Sequence, residues 1–81
     1  MKYEINIDQL GETLCNRARQ ANKEIIKYYG SANASLEARK RLISQVQIIR
    51  DIGIPIELKN DSEPGKELYT GLMIAGKNWS I

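Results

Sequence analysis

The chain has 81 residues, 42% of them hydrophobic and 27% charged, which is the balance of one small soluble globular domain and not of a disordered segment. A single cysteine, Cys15, and no histidine exclude an internal disulfide, a multi-cysteine zinc or iron–sulfur site, histidine-ligated metals and the serine–histidine and cysteine–histidine triads. The formal net charge is only +2, no apolar run approaches the roughly 18 residues of a membrane span, and residues 1–7 lack a signal-peptide core, so a cytoplasmic protein is expected.

Tyr3, Ile5 and Ile7 alternate with Lys2, Glu4 and Asn6, and this period of two predicts a short half-buried strand over residues 2–7. Asp8 then reads as the N-cap of a helix running to about Tyr29, with Glu12 adding favourable charge near its start. Leu10, Leu14, Ala18, Ala21, Ile25 and Tyr28 recur at spacings of three and four and form one apolar stripe, while Gly11 weakens the opening turn. Arg19, Lys23 and Lys27 form a single row almost opposite that stripe. Gly30 is the predicted stop.

Residues 31–34 read as a turn, and Asn33 or Ser35 as the cap of a second helix ending at about Ile52. The apolar residues of this helix are Leu36, Ala38, Leu42, Ile43, Val46, Ile48, Ile49 and Ile52. They spread over more than half of its circumference, so it is expected to bury two sides, against the first helix and a sheet or against another subunit. Arg39 and Arg50 fall within that arc near its ends, where they either snorkel to the surface or contact an anion. Gly53 ends the helix and Pro55 fixes the exit into extended chain.

Ile54, Ile56 and Leu58 alternate with Pro55, Glu57 and Lys59, giving a strand that Pro55 places at a sheet edge or at the strand's start. Residues 60–65 read as a loop, residues 67–75 as a further strand with Gly71 at a bulge or a close backbone approach, and residues 75–78 as a turn into a last strand, 79–81. The expected fold is one α+β domain over residues 1–81, of order β-α-α-β-β-β, with an antiparallel sheet packed on two helices. The surplus apolar surface of the second helix predicts a homodimer.

Residues 71–78, Gly-Leu-Met-Ile-Ala-Gly-Lys-Asn, nearly spell the phosphate-loop pattern. Asn78 lacks the hydroxyl that would ligate magnesium, however, and only three residues follow, too few for a helix whose N-terminus could meet phosphate, so a hairpin is expected. Asp61, Glu63 and Glu67 do not have the spacing of a calcium loop. Cys15, between the stripe and the basic row, reads as a structural thiol. No pair of carboxylates is placed for acid–base work, and no enzyme and no cofactor are expected.

Charge distribution carries the functional reading. Residues 17–50 hold eight cations and two anions, whereas the flanks hold four cations and eight anions. Arg19, Lys23, Lys27, Arg39, Lys40 and Arg41 are therefore the candidate contacts to nucleic-acid phosphates, or to another anionic partner, on a basic two-helix face. Asn16, Gln20 and Asn22 would be further donors, and Tyr29 and Trp79 stacking platforms if exposed, although both aromatics fit core packing better. The second reading is a small protein-interaction factor, an inhibitor or adaptor of the kind phages and mobile elements carry. It would bind a larger host protein through the second helix or a sheet edge.

The segment Gln47-Ile48-Ile49-Arg50-Asp51-Ile52-Gly53-Ile54-Pro55-Ile56-Glu57 resembles the recognition-helix-to-wing junction of winged-helix DNA-binding proteins, and Gln9-Leu10-Gly11-Glu12-Thr13-Leu14 resembles the first helix of a helix-turn-helix pair. The resemblance implies a DNA-binding fold. The sequence departs from the pattern where the first helix continues for about four turns past Leu14 and where two long helices stand in place of three, so no family residue is carried over.

Overall fold

A computed structural model describes residues 5–28, 32–60 and 68–81. Two helices come first, α1 (Ile7–Lys27) and α2 (Ala32–Ile52), followed by β1 (Ile56–Asn60), β2 (Tyr69–Ile74) and β3 (Lys77–Ser80). The strands form one antiparallel sheet in the order β1-β2-β3. The α+β class holds, but among the described residues the helices come first and no strand precedes α1.

The correction at the start has a local cause. Asn6 is extended (φ −78°, ψ 105°), its side chain accepts the Gln9 N–H at 3.1 Å, and its carbonyl accepts the Leu10 N–H at 2.9 Å. A short amide side chain in that position caps a helix, so helical geometry begins at Ile7. Ile7 and Leu10, three apart, then both pack against the core, and Ile5 stays exposed. Asp8 is not the cap; it stands in the first turn and pairs with Lys77 at 3.1 Å. Residues 2–4 of the expected strand lie outside the described residues, as do Tyr29, Gly30, Ser31, residues 61–65 of the expected loop and Glu67, the expected start of the next strand.

The expected caps Asn33 and Ser35 fall inside α2, which begins at Ala32. Its far end is as expected. Gly53 has φ +102°, its N–H bonds to the Arg50 carbonyl at 2.9 Å, and the Ile54 N–H reaches back to the Ile49 carbonyl at 3.3 Å. This is the Schellman pattern, in which a left-handed glycine lets the last carbonyls find donors.

The helices run antiparallel over one face of the sheet, α1 above β2 and β3 and α2 above β1. At one end Leu14 and Cys15 meet Val46, Ile49, Ile56, Leu72 and Ile74; at the other Ala18, Ala21 and Ile25 meet Ala38, Leu42 and Tyr69. Small residues on α1 let the helices approach closely. The predicted stripe of α1 is thus the buried one, apart from Tyr28, which is exposed at the C-cap.

The near match to a phosphate loop is the β2–β3 hairpin. Ala75 and Gly76, with φ of 51° and 85°, form its two-residue turn. This is the mirror-image turn geometry that suits the twist of a hairpin. Gly71 lies where both of its expected roles are found. The register shifts beside it, so that Thr70 is the extra residue opposite Lys59 and Asn60, and a Cβ on Gly71 would stand 2.6 Å from the Trp79 carbonyl oxygen. Gly11 has a role the sequence does not announce. The Trp79 indole packs against it, and a Cβ there would stand 2.3 Å from the ring carbon Cε2.

Two helices, not three, precede the hairpin among the described residues, so the winged-helix expectation is not met. None of the helices among those residues is long and apolar enough to cross a membrane.

Candidate binding surface

The six predicted contact residues are all on helices but do not share one direction. Arg19, Lys23 and Lys27 keep their row on the exposed side of α1. Within it, Arg19 donates to Asn16 Oδ1 at 2.9 Å and to the Ser80 carbonyl at 3.3 Å, and Lys27 Nζ lies 5.4 Å from the Tyr28 ring centroid. Lys23 is exposed and forms no ion pair among the described residues.

On α2 the three consecutive cations are fanned out by the 100° step of the helix. Arg41 enters the groove facing α1 and pairs with Glu24 at 2.6 Å. Arg39 turns the other way, beside the buried Tyr69 hydroxyl. Burial raises the Tyr69 pKa, and the neighbouring Arg39 charge partly offsets it. Lys40 points between the two, to solvent.

Asn22 is not available as a phosphate donor. It is the one buried polar side chain among the described residues, donating to the Tyr69 carbonyl at 2.9 Å and accepting the Leu68 N–H at 3.1 Å. The amide thereby clamps α1 to the start of β2. Trp79 is half-buried against Gly11, with its indole N–H enclosed, so packing and not base stacking is its structural role. Cys15 is buried; desolvation lifts its thiol above the ordinary value, and the Arg19 charge opposes this only in part. A thiol so placed stays protonated near neutrality and is a poor nucleophile.

A different surface emerges on α2. Ala38, Leu42, Val46 and Ile49 are buried toward α1 and the sheet, but Leu36, Ile43, Ile48 and Ile52 remain 45–63% exposed. The expected two-sided burial is only partly met, because the sheet is three short strands wide and ends at β1.

Both edges of that sheet are treated alike. The Ala75 N–H bonds to the Pro55 carbonyl at 2.8 Å, so the alternation of an antiparallel ladder directs Glu57 and Lys59 toward β2 and turns Ile56 and Leu58 outward. Arg50 Nε donates to the outward Ile56 carbonyl at 3.1 Å. At the opposite edge the Ile81 N–H bonds inward to the Thr70 carbonyl at 3.2 Å, the Ser80 carbonyl faces out, and Arg19 reaches it. Each helix thus sends one arginine to an edge carbonyl, a charged cover of the kind that discourages strand-to-strand aggregation.

No family model matches this sequence, and no curated protein or solved structure is significantly similar to it.

Proposed function

We propose that this chain is a non-catalytic module, an inhibitor or adaptor, that binds a larger protein through α2, the partner presenting apolar side chains set among carboxylates. One observation carries this reading. Leu36 and Ile43, 47% and 45% exposed, share one flank of α2, while Ile48 and Ile52, 60% and 63% exposed, lie about 150° away on its other side, with the buried apolar face between the two pairs. Adjacent exposed aliphatics on one flank support an interaction surface there, and the flank of Leu36 and Ile43 is the one proposed.

The partner's charge is argued from the rim. Arg39, Lys40 and Arg50 surround Leu36 and Ile43, and none of the three forms an ion pair among the described residues. A second copy of the same face would oppose like charges across the contact, whereas an acidic partner would complement them. The nucleic-acid reading is less well supported, because Arg41 is neutralised by Glu24 and Arg19 and Arg39 are directed elsewhere.

The test compares the wild-type chain with Ile43→Glu and Ile48→Glu variants, each shown folded by circular dichroism. Candidate partners captured by the wild type are purified and titrated by calorimetry. A purified acidic protein that binds the wild type, and binds Ile43→Glu at least about tenfold more weakly but Ile48→Glu, on the other flank, nearly as well, supports the reading. Tight oligonucleotide binding that weakens steeply with salt and is unchanged in the variants would replace it with the nucleic-acid reading. Light scattering of the free chain shows whether the same variants disrupt a homodimer, and a dimer broken by Ile43→Glu would also overturn it.

A further inference from the structure

We infer that the partner engages α2 with an acidic amphipathic helix laid along the Leu36–Ile43 flank, its apolar residues seven apart and its carboxylates on either side of that seam. The inference rests on the protein-binding reading and names the shape and charge pattern of what is bound.

Spacing along the rod selects the shape. Leu36 and Ile43 are seven residues apart, about 10.5 Å along α2 and within about 20° of one another around it. They are 47% and 45% exposed, so water reaches both. A second helix presents its residues i and i+7 with the same rise and nearly the same direction. An extended segment shows one side at every second residue, in steps of about 6.7 Å. Its apolar residues would fall at about 6.7 and 13.4 Å and miss the second aliphatic. A row of seven-residue spacing drifts by about 20° per repeat around a straight helix. A partner helix inclined at about 20° follows that drift, the crossing at which helices interdigitate in left-handed coiled coils.

Charge beside the row selects the chemistry. Arg39 and Lys40 lie between the two aliphatics in height, and the helical step puts one of them about 50° to each side of the row. Both are exposed, and neither forms an ion pair among the described residues. Arg39 stands beside the Tyr69 hydroxyl, a neutral group that leaves its charge uncompensated. An apolar seam with a cation on either side is matched by a helix that carries carboxylates at its own flanking positions. Arg50, seven residues beyond Ile43, continues the row. Glu57 shares with it the lining of an open hollow of about 440 Å³. The chain thus brings its own carboxylate to that end, and the partner's acids belong opposite Arg39 and Lys40.

The test uses the full chain and synthetic peptides. One has leucine at every seventh position with glutamates flanking that seam, so that its own charge opposes self-association. A second rearranges the same composition into strict apolar–acidic alternation, and a third replaces the glutamates by glutamine. Binding is read by calorimetry and peptide helicity by difference circular dichroism. Four results together support the inference. The first peptide binds and at least about doubles its helicity on the chain. It binds at least about tenfold more weakly to Ile43→Glu and to Arg39→Glu, each shown folded by circular dichroism. The glutamine copy loses at least about tenfold as well. Ile48→Glu, on the other flank, changes its affinity less than about threefold. Tighter binding of the alternating peptide, with the same loss in Ile43→Glu, overturns the helical geometry and leaves the flank as a protein-binding face. Binding weakened equally by Ile48→Glu overturns the placement. Failure of every peptide overturns helical docking, and it is separable from failure of the protein-binding reading, which the variant titrations decide on a purified partner.

Discussion

Replacing Asn22 by alanine removes one amide and orphans two backbone groups. The Tyr69 carbonyl loses its 2.9 Å donor in a buried setting, and the half-buried Leu68 N–H loses its 3.1 Å acceptor. An unsatisfied buried polar group costs about 1–3 kcal/mol. Leu68 belongs at the lower end of that range because water can approach it, so the two together give a loss of about 2–4 kcal/mol. A domain of this size has roughly 4–12 kcal/mol in total, and each kcal/mol moves its Tm by about 4–8 °C. Urea unfolding and a thermal melt monitored by circular dichroism measure the change. Asn22→Asp supplies the control. Its carboxylate can accept from Leu68 but cannot donate to Tyr69, whereas its protonated form can do both. The acid's folded-state pKa is raised, so the deficit relative to wild type should shrink as pH falls toward the range where the buried acid is protonated. A loss below about 1 kcal/mol for Asn22→Ala, or an Asn22→Asp deficit that does not change with pH, would refute the clamp.

Gly11→Ala should lower stability by about 1–2 kcal/mol, since crowding of the Trp79 ring outweighs a helix-propensity gain of about 1 kcal/mol; in a Trp79→Ala background the same substitution should become stabilising, and a double-mutant cycle by urea denaturation reads the reversal of sign. Ala75 sits at φ 51°, where asparagine is better tolerated, so Ala75→Asn should raise stability by about 0.5–1 kcal/mol in a thermal melt, and a loss would contradict the turn geometry. Cys15 and Tyr69 are both neutral groups whose folded pKa values are raised, so between each group's unfolded and folded values the unfolded state binds fewer protons and stability falls as pH climbs past about 9 and 10. Denaturation midpoints across alkaline pH check this, together with slow reaction of Cys15 with a thiol reagent under native conditions and fast reaction in denaturant.

The elements read best from sequence are those whose signals are local. Ala18, Ala21 and Ile25 announce the buried side of α1 by spacing alone, Gly53 announces the end of α2 because only glycine sits easily at φ +102°, and Gly71 announces a crowded backbone because a side chain there would meet Trp79. Local signals also compete. Ile5 and Ile7 fit a strand period as well as Ile7 and Leu10 fit a helix, and the Asn6 cap decides between them through a hydrogen bond that alternation does not encode.

The candidate surface depended on distance across the fold. Arg19, Lys23 and Lys27 lie in one row in any helix, so their alignment follows from sequence. That Arg41 meets Glu24, seventeen residues earlier, and that Arg19 meets Ser80, sixty-one residues later, follows only from how the layers pack. Asn22 reads as a surface donor until the sheet is placed over it. The wide apolar arc of α2 is visible in the sequence, but which part of it is buried is decided by where α1 and the sheet pack against the helix. Periodicity fixes the direction of a side chain about its own helix axis; its neighbours are fixed by contacts between segments far apart in the chain, and those are properties of the whole packed arrangement.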